Sequence, residues 1–126
     1  MTLTERHLPI LVTGAAGLLG HALGPRLRAA APGAGAVRLT DVADLDATDP
    51  AAVAAALRDL RPRTLINLAA WTNVDGAESH PAEAARLNAD VPEVLARAAA
   101  GAGAVLVQLS TDFIFDGAKG APYVED

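Results

Sequence analysis

Three glycines and one aspartate are the residues whose spacing most clearly indicates chemistry. Gly14, Gly17 and Gly20 lie in TGAAGLLG, between an apolar run and a stretch with helical spacing. In such a loop the first glycine permits a tight turn, the second admits a pyrophosphate to backbone N–H groups, and the third lets the helix approach a sheet. A glycine triplet alone could be an ordinary turn in this alanine-rich chain, but Asp41 ends the second apolar run about twenty residues later. Together these residues predict a dinucleotide-binding site.

Asp41 also bears on which dinucleotide is bound. Its carboxylate is expected to accept hydrogen bonds from the adenosine ribose hydroxyls and to repel a 2′-phosphate, and Val42 follows it rather than an arginine. This favours NADH, although Arg38 or a rearranged loop could admit NADPH, and a solvated turn aspartate is the plain alternative. Ala16 and Leu18 of the glycine loop are counted among the expected cofactor-binding residues.

Composition and charge exclude several classes of function. The 126 residues predict one domain, and 10 basic against 15 acidic residues give a net charge of −5. This acidic balance argues against a nucleic-acid or anionic-membrane partner, because both require a basic surface. The absence of cysteine excludes disulfides and thiolate metal sites, and no metal site is predicted. No stretch is long enough to span a bilayer, and the glycine spacing argues against reading 8–23 as a secretory signal, so a cytoplasmic protein is expected.

Short apolar runs alternate with longer stretches of helical spacing along the chain. This alternation is typical of a parallel sheet covered by helices on both faces. We therefore expect an α/β fold with a Rossmann-type doubly wound parallel sheet. The expected strands fall at 9–13, 37–40, 64–70 and 104–110, and the expected helices at 18–30, 51–60 and 81–100.

Local signals predict where these helices begin, bend and end. Gly24-Pro25 predicts a kink or an early end of the first helix, because an interior proline removes a backbone hydrogen bond and clashes with the preceding turn. The second helix is expected to begin at the N-cap pair Asp49-Pro50 and to stop at Arg61-Pro62. The third helix is expected to carry Asp75 and Glu78 in its N-terminal turn and to end at Gly101 and Gly103.

Five segments of the chain, taken in order, resemble a known enzyme family. They are TGAAGLLG, LDATDP, RPRTLINLAAWTNVDGAE, LNADVPEVLARAAA and LSTDFIFDGAKGAPYVED. Together they are similar to the extended short-chain dehydrogenase/reductases, and among these most to the dTDP-4-dehydrorhamnose reductase group, whose STDYVFDG signature resembles STDFIFDG. The resemblance implies NAD(P)H-dependent reduction of the 4-keto group of a dTDP-6-deoxy-hexulose, a nucleotide-sugar substrate. The alternatives are a non-catalytic dinucleotide-binding subunit resembling methionine adenosyltransferase beta, or another nucleotide-sugar epimerase or dehydratase.

The resemblance also implies roles for residues around the cofactor. Asp46 and Ala47 would lie beside the adenine, although they could simply form a turn ahead of the second helix. Ala69 and Ala70 would line the ribose and nicotinamide side, although two alanines could equally reflect composition. Thr72 would follow at the rim of the same cleft.

The resemblance places a catalytic hydroxyl at Thr111, which would hydrogen-bond the substrate carbonyl, with Ser110 beside it at the cofactor. Without the family, a Ser-Thr pair after a strand is ordinary turn chemistry. Pro92 leaves the Asn88 carbonyl without its helical donor. In the family a kinked helix here lets an Asn carbonyl hold a water of the proton relay; a surface Asn beside a tolerated proline is the alternative.

The family's proton donor, the tyrosine of Tyr-x-x-x-Lys, is not found in this sequence. The single tyrosine, Tyr123, follows the single lysine, Lys119, so the spacing is right and the order is reversed. The segment around them contains Gly and Pro and does not predict a helix, so neither is expected to be catalytic. We therefore expect residues 1–126 to form an incomplete NAD(P)-binding Rossmann-like domain, inactive alone, with its sheet cut off after the fifth strand and its C-terminal substrate region absent.

The last strand would then lack an outer neighbour. Val105 and Val107 would face one side of the sheet and Leu106 and Leu109 mostly the other, so both faces would carry uncovered apolar surface. A homo-oligomer or a partner covering 104–109 is the expected consequence.

Overall fold

The sheet contains four parallel strands that follow the expected apolar runs. The computed structural model describes residues 3–124, apart from the side chain of Phe113. All three strand pairings are parallel, and the order across the sheet is β2-β1-β3-β4. The expected Rossmann-type α/β architecture is therefore confirmed. The strands are β1 (Ile10–Thr13), β2 (Val37–Leu39), β3 (Thr64–Asn67) and β4 (Val105–Gln108).

The number of strands differs from the expectation. Residues 3–124 form four strands and not five, because each apolar run supplies one strand and the chain after β4 does not extend again. That last segment contains Gly117, Gly120 and Pro122, and it forms a short 3₁₀ helix at Asp112–Ile114 followed by bends. Glycine and proline favour turns over strands, which accounts for this difference.

Helices connect the strands and cover both faces of the sheet. No helix within the described residues has the length and apolar character needed to cross a bilayer. The helices are α1 (Leu18–Ala30), α2 (Pro50–Leu60), α3 (Val74–Ser79), α4 (Pro81–Ala85) and α5 (Val91–Ala102), and a π-helical segment at Arg86–Asp90 joins α4 to α5.

Two apolar clusters fill the space between the sheet and the helices, because neighbouring side chains of a strand point to opposite faces. On one face α2 and α5 pack on the sheet, and on the other face Leu23 and Leu27 of α1 do so. The buried members of the first cluster are Leu11, Leu45, Ala47, Val53, Leu57, Leu65, Val91, Leu95 and Ala99, and those of the second are Leu3, Ile10, Val12, Val37 and Ile66.

The ends of α2 agree with the sequence signals. The Asp49 carboxylate accepts a hydrogen bond from the Ala51 N–H at 2.8 Å, and Pro50 occupies the first turn, where its missing N–H costs nothing. Arg61 adopts a left-handed conformation with φ 47° and ends the helix before Pro62. Both boundaries of this helix are confirmed.

Two other boundaries differ in detail. Asn73 caps α3 by accepting a hydrogen bond from the Gly76 N–H at 2.9 Å, so Asp75 lies inside the first turn and Glu78 lies near the end of this short helix. Gly103, at φ 67°, ends α5, whereas Gly101 lies within it. The sequence pointed to the right neighbourhood, but the cap depends on which side chain reaches the N–H.

The early end predicted for α1 is wrong, because the helix continues through Pro25 to Ala30. Gly24 is buried against β2, and a Cβ there would lie 2.7 Å from Leu39 Cδ1. An interior proline costs about 3 kcal/mol or more, and the close packing of this helix face on the sheet offsets that cost.

The edge strand β4 has one covered face. Leu106 packs against the cluster beneath α5, so the expectation that both faces would be bare is wrong for this side. On the other face Val105 and Val107 are 64% and 42% exposed, and Leu109 beyond the strand is also exposed. Within the described part of the chain, β4 pairs only with β3.

Candidate functional site

A cleft of about 510 Å³ opens at the carboxyl ends of β1, β2 and β3. Because β2 and β3 lie on opposite sides of β1, the strand order reverses here, and open α/β sheets bind ligands at such points. The lining residues expected from the sequence are Gly14, Ala16, Gly17, Asp41, Asp46, Ala47, Ala69 and Ala70. The structure adds Thr13, Val42, Leu45, Thr48, Leu68 and Leu87.

A larger cavity of about 790 Å³ lies elsewhere, beside the C-terminal end of α1 and the start of β2. It is lined by Arg28, Arg38, the glycine-containing turn at 33–35 and Leu60, among others, and by none of the expected site residues. The cleft at the strand ends is therefore the candidate site, because only there do the sequence signals and the topology coincide.

The glycine loop forms one wall of the cleft. Gly14 has φ 68°, and a Cβ there would lie 2.5 Å from the Ala69 backbone nitrogen, so only glycine lets the turn after β1 pack on the turn after β3. Gly17 is the N-cap of α1 and makes no side-chain cap. The first N–H groups of a helix lack intrahelical partners, so this end of α1 is suited to receive a phosphate.

The structure assigns the close approach of helix and sheet to a different glycine from the one expected. The three atoms nearest to a Cβ at Gly20 all belong to Ala15 of the same loop, so Gly20 relieves crowding within the loop. Gly24 contacts Leu39 of β2 and lets α1 lie close to the sheet. The sequence reading missed Gly24 because it treated Gly24-Pro25 only as a helix breaker.

Asp41 connects the end of β2 to the glycine loop. Its Oδ2 accepts a hydrogen bond from the Ala16 N–H at 2.8 Å, and its Oδ1 accepts one from the Val42 N–H at 2.7 Å. A carboxylate oxygen can accept more than one bond, so both oxygens retain capacity for ribose hydroxyls. Arg38, the residue that could have accommodated a 2′-phosphate, pairs with Asp59 of α2 at 3.2 Å.

A row of polar side chains, buried at Thr13 and Asn67 and exposed at Gln108, supports the floor of the site. Thr13 Oγ1 donates to Asn67 Oδ1 at 2.6 Å, and Asn67 Nδ2 donates to Gln108 Oε1 at 2.8 Å. Asn67 Oδ1 also accepts a hydrogen bond from the Ala69 N–H at 3.1 Å, which fixes the turn carrying Ala69 and Ala70. Sequence reasoning missed this row, although each of these three apolar runs carries its polar residue at the paired position near its end.

The turn after β2 forms the wall at the expected adenine side. Asp46 Oδ1 accepts hydrogen bonds from the Thr48 N–H at 2.8 Å and from the Thr48 hydroxyl at 2.7 Å. The hydrogen bond from the Thr48 hydroxyl and then the one from the Thr48 N–H hold the pKa of the Asp46 carboxyl below its usual range; burial opposes them, and the charge of Arg86 makes a smaller contribution in their direction. The turn also leads into the Asp49 cap, so the two interpretations of this segment, adenine contact and turn, are compatible in space.

The π-helical segment places Asn88 against the backbone that follows β3. The Val91 N–H bonds to the Arg86 carbonyl, a register one residue wider than in an α-helix, directly before Pro92. Asn88 Oδ1 accepts from the Trp71 N–H at 2.8 Å, and Asn88 Nδ2 donates to the Trp71 carbonyl at 3.1 Å. Asn88 thus fixes the backbone next to Thr72, and neither Asn88 nor Thr72 lines the cleft itself.

Three other expected site residues are exposed and lie outside the lining of the cleft. Leu18 is 94% exposed at the start of α1. Ser110 and Thr111 follow β4, one strand beyond β3, and the Thr111 hydroxyl donates to Asp112 Oδ1 at 3.1 Å. Carboxyl ends of parallel strands share one edge of the sheet, so these hydroxyls lie on the same edge as the cleft.

Tyr123 and Lys119 belong to a local surface cluster. The Tyr123 hydroxyl donates to Asp116 Oδ1 at 2.6 Å, and its ring stacks on Phe115 with centroids 4.3 Å apart. The Lys119 ammonium lies 5.5 Å from the Tyr123 ring centroid. The phenol is therefore engaged with a carboxylate of its own loop, and the expectation that this pair is not catalytic stays a prediction.

Comparisons with known proteins agree with this geometry. The family described as RmlD substrate binding domain matches residues 8–126. Over 118 residues the chain is 50% identical to dTDP-4-dehydrorhamnose reductase of Streptomyces griseus, and the alignment covers 92% of the chain and 37% of that protein. Over 120 residues it is 40% identical to methionine adenosyltransferase 2 subunit beta of Xenopus laevis, and the alignment covers 92% of the chain and 36% of that protein.

A solved structure gives the same result. The crystal structure of dTDP-4-dehydrorhamnose reductase from Bacillus anthracis in complex with NADP is 33% identical, with a TM-score of 0.79, over 87% of this chain and 38% of that one. The chain spans less than two fifths of the length of each of these three proteins.

Proposed function

This chain belongs to the family described as RmlD substrate binding domain, and we propose that its cleft binds NADH or NADPH as the cofactor-binding part of a dTDP-4-dehydrorhamnose reductase. The reaction is the reduction of the 4-keto group of a dTDP-6-deoxy-hexulose. The observation that carries the proposal is the meeting of the uncapped start of α1, the glycine turn and Asp41 in one cleft.

The residues of the cleft fit a dinucleotide. Gly14 and Gly17 leave a wall without side chains, the open N–H groups of α1 suit a pyrophosphate, and Asp41 suits ribose hydroxyls. Four more of the expected residues line the cleft: Asp46 and Ala47 are proposed to lie beside the adenine, and Ala69 and Ala70 on the ribose and nicotinamide side. When bound, the nicotinamide supplies the hydride of the reduction.

We expect NADH to bind more tightly than NADPH. The Asp41 carboxylate lines the cleft and would face a 2′-phosphate with a like charge, while Arg38 is paired with Asp59. The relative from Bacillus anthracis was solved in complex with NADP, so both dinucleotides must be titrated.

Thr111 is the residue proposed to hydrogen-bond the substrate carbonyl, with Ser110 beside it at the cofactor. Reduction of that carbonyl also needs a proton donor, and the single tyrosine of the sequence is bound to Asp116 at the surface. We therefore propose that these 126 residues bind cofactor without reducing the sugar.

The experiment that tests the proposal is a calorimetric titration of the chain with NADH and with NADPH. Saturable binding with one site per chain is the expected result. Absence of binding to either dinucleotide at millimolar concentration would overturn the proposal, because every other part of it depends on this cleft.

The similarity to methionine adenosyltransferase 2 subunit beta favours a second candidate, a non-catalytic dinucleotide-binding subunit. Both candidates predict dinucleotide binding, so a different measurement is needed. Titration of the chain into a purified methionine adenosyltransferase catalytic subunit would show association only under the second candidate.

A further inference from the structure

A chain of hydrogen bonds crosses the adenine side of the cleft and joins segments distant in sequence. Arg86, in the π-helical segment, donates from Nη2 to Thr48 Oγ1 at 2.7 Å. The Thr48 hydroxyl donates in turn to Asp46 Oδ1 at 2.7 Å. Thr48 and Asp46 line the cleft, as does Leu87 beside Arg86. The arginine therefore reaches the cleft wall through an intermediate hydroxyl.

This arrangement fixes the orientation of the Asp46 carboxylate. Both Thr48 bonds end on Oδ1, and among residues 3–124 no side chain or backbone group donates to Oδ2. An ionised carboxylate only accepts hydrogen bonds, so Oδ2 is suited to a ligand that presents an N–H group. An aspartate is ionised near neutral pH, and the hydrogen bonds from the Thr48 hydroxyl and the Thr48 N–H lower the pKa of Asp46 further in that direction.

Arg86 also stabilises the Thr48 hydroxyl in the direction that this chain requires. A hydroxyl has one hydrogen to donate. Because the guanidinium can only donate, the Thr48 hydroxyl accepts from Arg86 and must place its own hydrogen elsewhere, here on Asp46. Without Arg86 the hydroxyl could rotate toward water, and the carboxylate would keep only the bond from the Thr48 N–H.

We propose that Arg86 is a positioning residue that sets the base specificity of the cleft, by holding Thr48 so that Asp46 accepts a hydrogen bond from the amino group of a 6-aminopurine. The proposal rests on the proposed dinucleotide function and deepens it. A 6-oxopurine has a carbonyl oxygen in place of the amino group and would face the carboxylate unfavourably, so Arg86 should favour adenine over hypoxanthine dinucleotides.

The test compares the dissociation constants of NADH and of reduced nicotinamide hypoxanthine dinucleotide. The variants are Arg86→Ala, Thr48→Val, which removes the hydroxyl and keeps the arginine charge, and the double variant. Arg97→Ala is the matched control, because Arg97 is an exposed arginine paired only with Glu93 of its own helix in the described chain. Arg86 and Arg97 are both exposed, so these variants should fold, and melting curves check this.

The expected result is a preference for NADH that Arg86→Ala and Thr48→Val each reduce about fivefold, a part of the roughly tenfold or more that losing a charged hydrogen bond costs. The double variant should lose no more of this preference than either single variant, since both substitutions break the same series of hydrogen bonds. Arg97→Ala should keep the full preference.

Two results would overturn the proposal while leaving dinucleotide binding intact. One is an unchanged preference in Arg86→Ala. The other is an equal loss of affinity for both dinucleotides in Arg86→Ala, together with unchanged affinities in Thr48→Val. That result would mean that the guanidinium acts directly on the ligand through its charge. Failure of the unmutated chain to bind NADH at all would instead overturn the proposed function, and this inference with it.

Discussion

Asp41 Oδ2 lies 2.8 Å from the Ala16 backbone nitrogen and accepts its hydrogen bond. One carboxylate thus serves two purposes, since it ties the end of β2 to the glycine loop and also places negative charge where a ribose is expected. Substitutions at Asp41 must separate these two effects before they can report on the cofactor.

Replacement of Asp41 should change the choice between NADH and NADPH. The unmutated chain is expected to bind NADH at least about tenfold more tightly, the ratio that 1.4 kcal/mol of charge repulsion gives. Asp41→Asn removes the charge and keeps an acceptor for the Ala16 N–H, so it should narrow this gap without loosening the loop. Asp41→Ala should narrow it and also weaken both dinucleotides. Calorimetry measures the dissociation constants of both dinucleotides for all three proteins, and a clear NADPH preference in the unmutated chain contradicts the assignment.

Substitution of Gly17 should abolish binding of both cofactors. A Cβ at Gly17 would lie 3.3 Å from the Gly14 carbonyl oxygen, which must shift by a few tenths of an ångström, and the leucine of Gly17→Leu would fill the space before the open N–H groups of α1. Far-UV circular dichroism should stay nearly unchanged. Gly101→Leu is the matched control, because a Cβ there meets nothing within 4 Å, and it should bind normally.

Removal of the Tyr123 hydroxyl should have no effect on reduction. The 126-residue chain should not reduce dTDP-4-keto-6-deoxy sugars above background, because losing general-acid catalysis alone costs roughly a hundred- to ten-thousand-fold. Tyr123→Phe should therefore show the same background rate in an NADH absorbance assay. Turnover that disappears in Tyr123→Phe would show that the phenol is catalytic after all.

The same substitution should alter the titration of Asp116. Hydrogen bonds from the Tyr123 hydroxyl and then from the Ala118 N–H lower the pKa of this carboxyl, with burial opposing slightly. Because the folded pKa lies below the ordinary value, the stabilisation is present above the unfolded pKa and is lost as the pH falls through the folded pKa. In Tyr123→Phe the pKa of Asp116 should rise toward its ordinary value. A carbon-detected NMR titration between about pH 2 and 6 measures it, since carboxylates titrate there; an unchanged pKa would contradict the bond to Tyr123.

The exposed face of β4 should promote self-association. Each valine buried there would gain up to about 1.5 to 3 kcal/mol, against a total stability of about 5 to 15. Val105→Thr with Val107→Thr should reduce association in light scattering, whereas Val74→Thr, at an exposed valine of α3, should not. Bound NADH should also raise the free energy of unfolding of the chain, by about 2.7 kcal/mol at a hundred times its dissociation constant. A stable monomer with the native valines, unaffected by cofactor, is the contrary outcome.

The features that the sequence predicted depend on local backbone conformation and on where the strands end. Gly14, Gly17 and Asp41 act through backbone conformation and strand ends, so their spacing along the chain is sufficient to place them. The same holds for the Asp49 cap, whose partner is two residues away. The Rossmann-type order of elements follows from apolar periodicity for a similar reason.

The features that the sequence did not predict depend on contacts between distant segments. The row through Thr13, Asn67 and Gln108 requires the register of three strands, and the bond from Arg86 to Thr48 spans 38 positions. The early end predicted at Pro25 is wrong because packing of α1 on the sheet overrides the local helix-breaking rule. Long-range packing accounts for each of these differences.

The π-helical segment has a consequence for how the cleft can vary. Arg86 reaches Thr48 in the wall of the cleft, Asn88 holds the Trp71 backbone just beyond the lining, and Leu87 between them lines the cleft. A π turn is an α-helix with one surplus residue, and each residue of an α-helix advances the direction of its side chain by about 100°. Deleting one residue here would rotate Asn88 or Arg86 away from its partner. A single inserted position in this helix thus lets neighbouring residues hold both the turn after β2 and the chain after β3, and its loss would release one of these two segments.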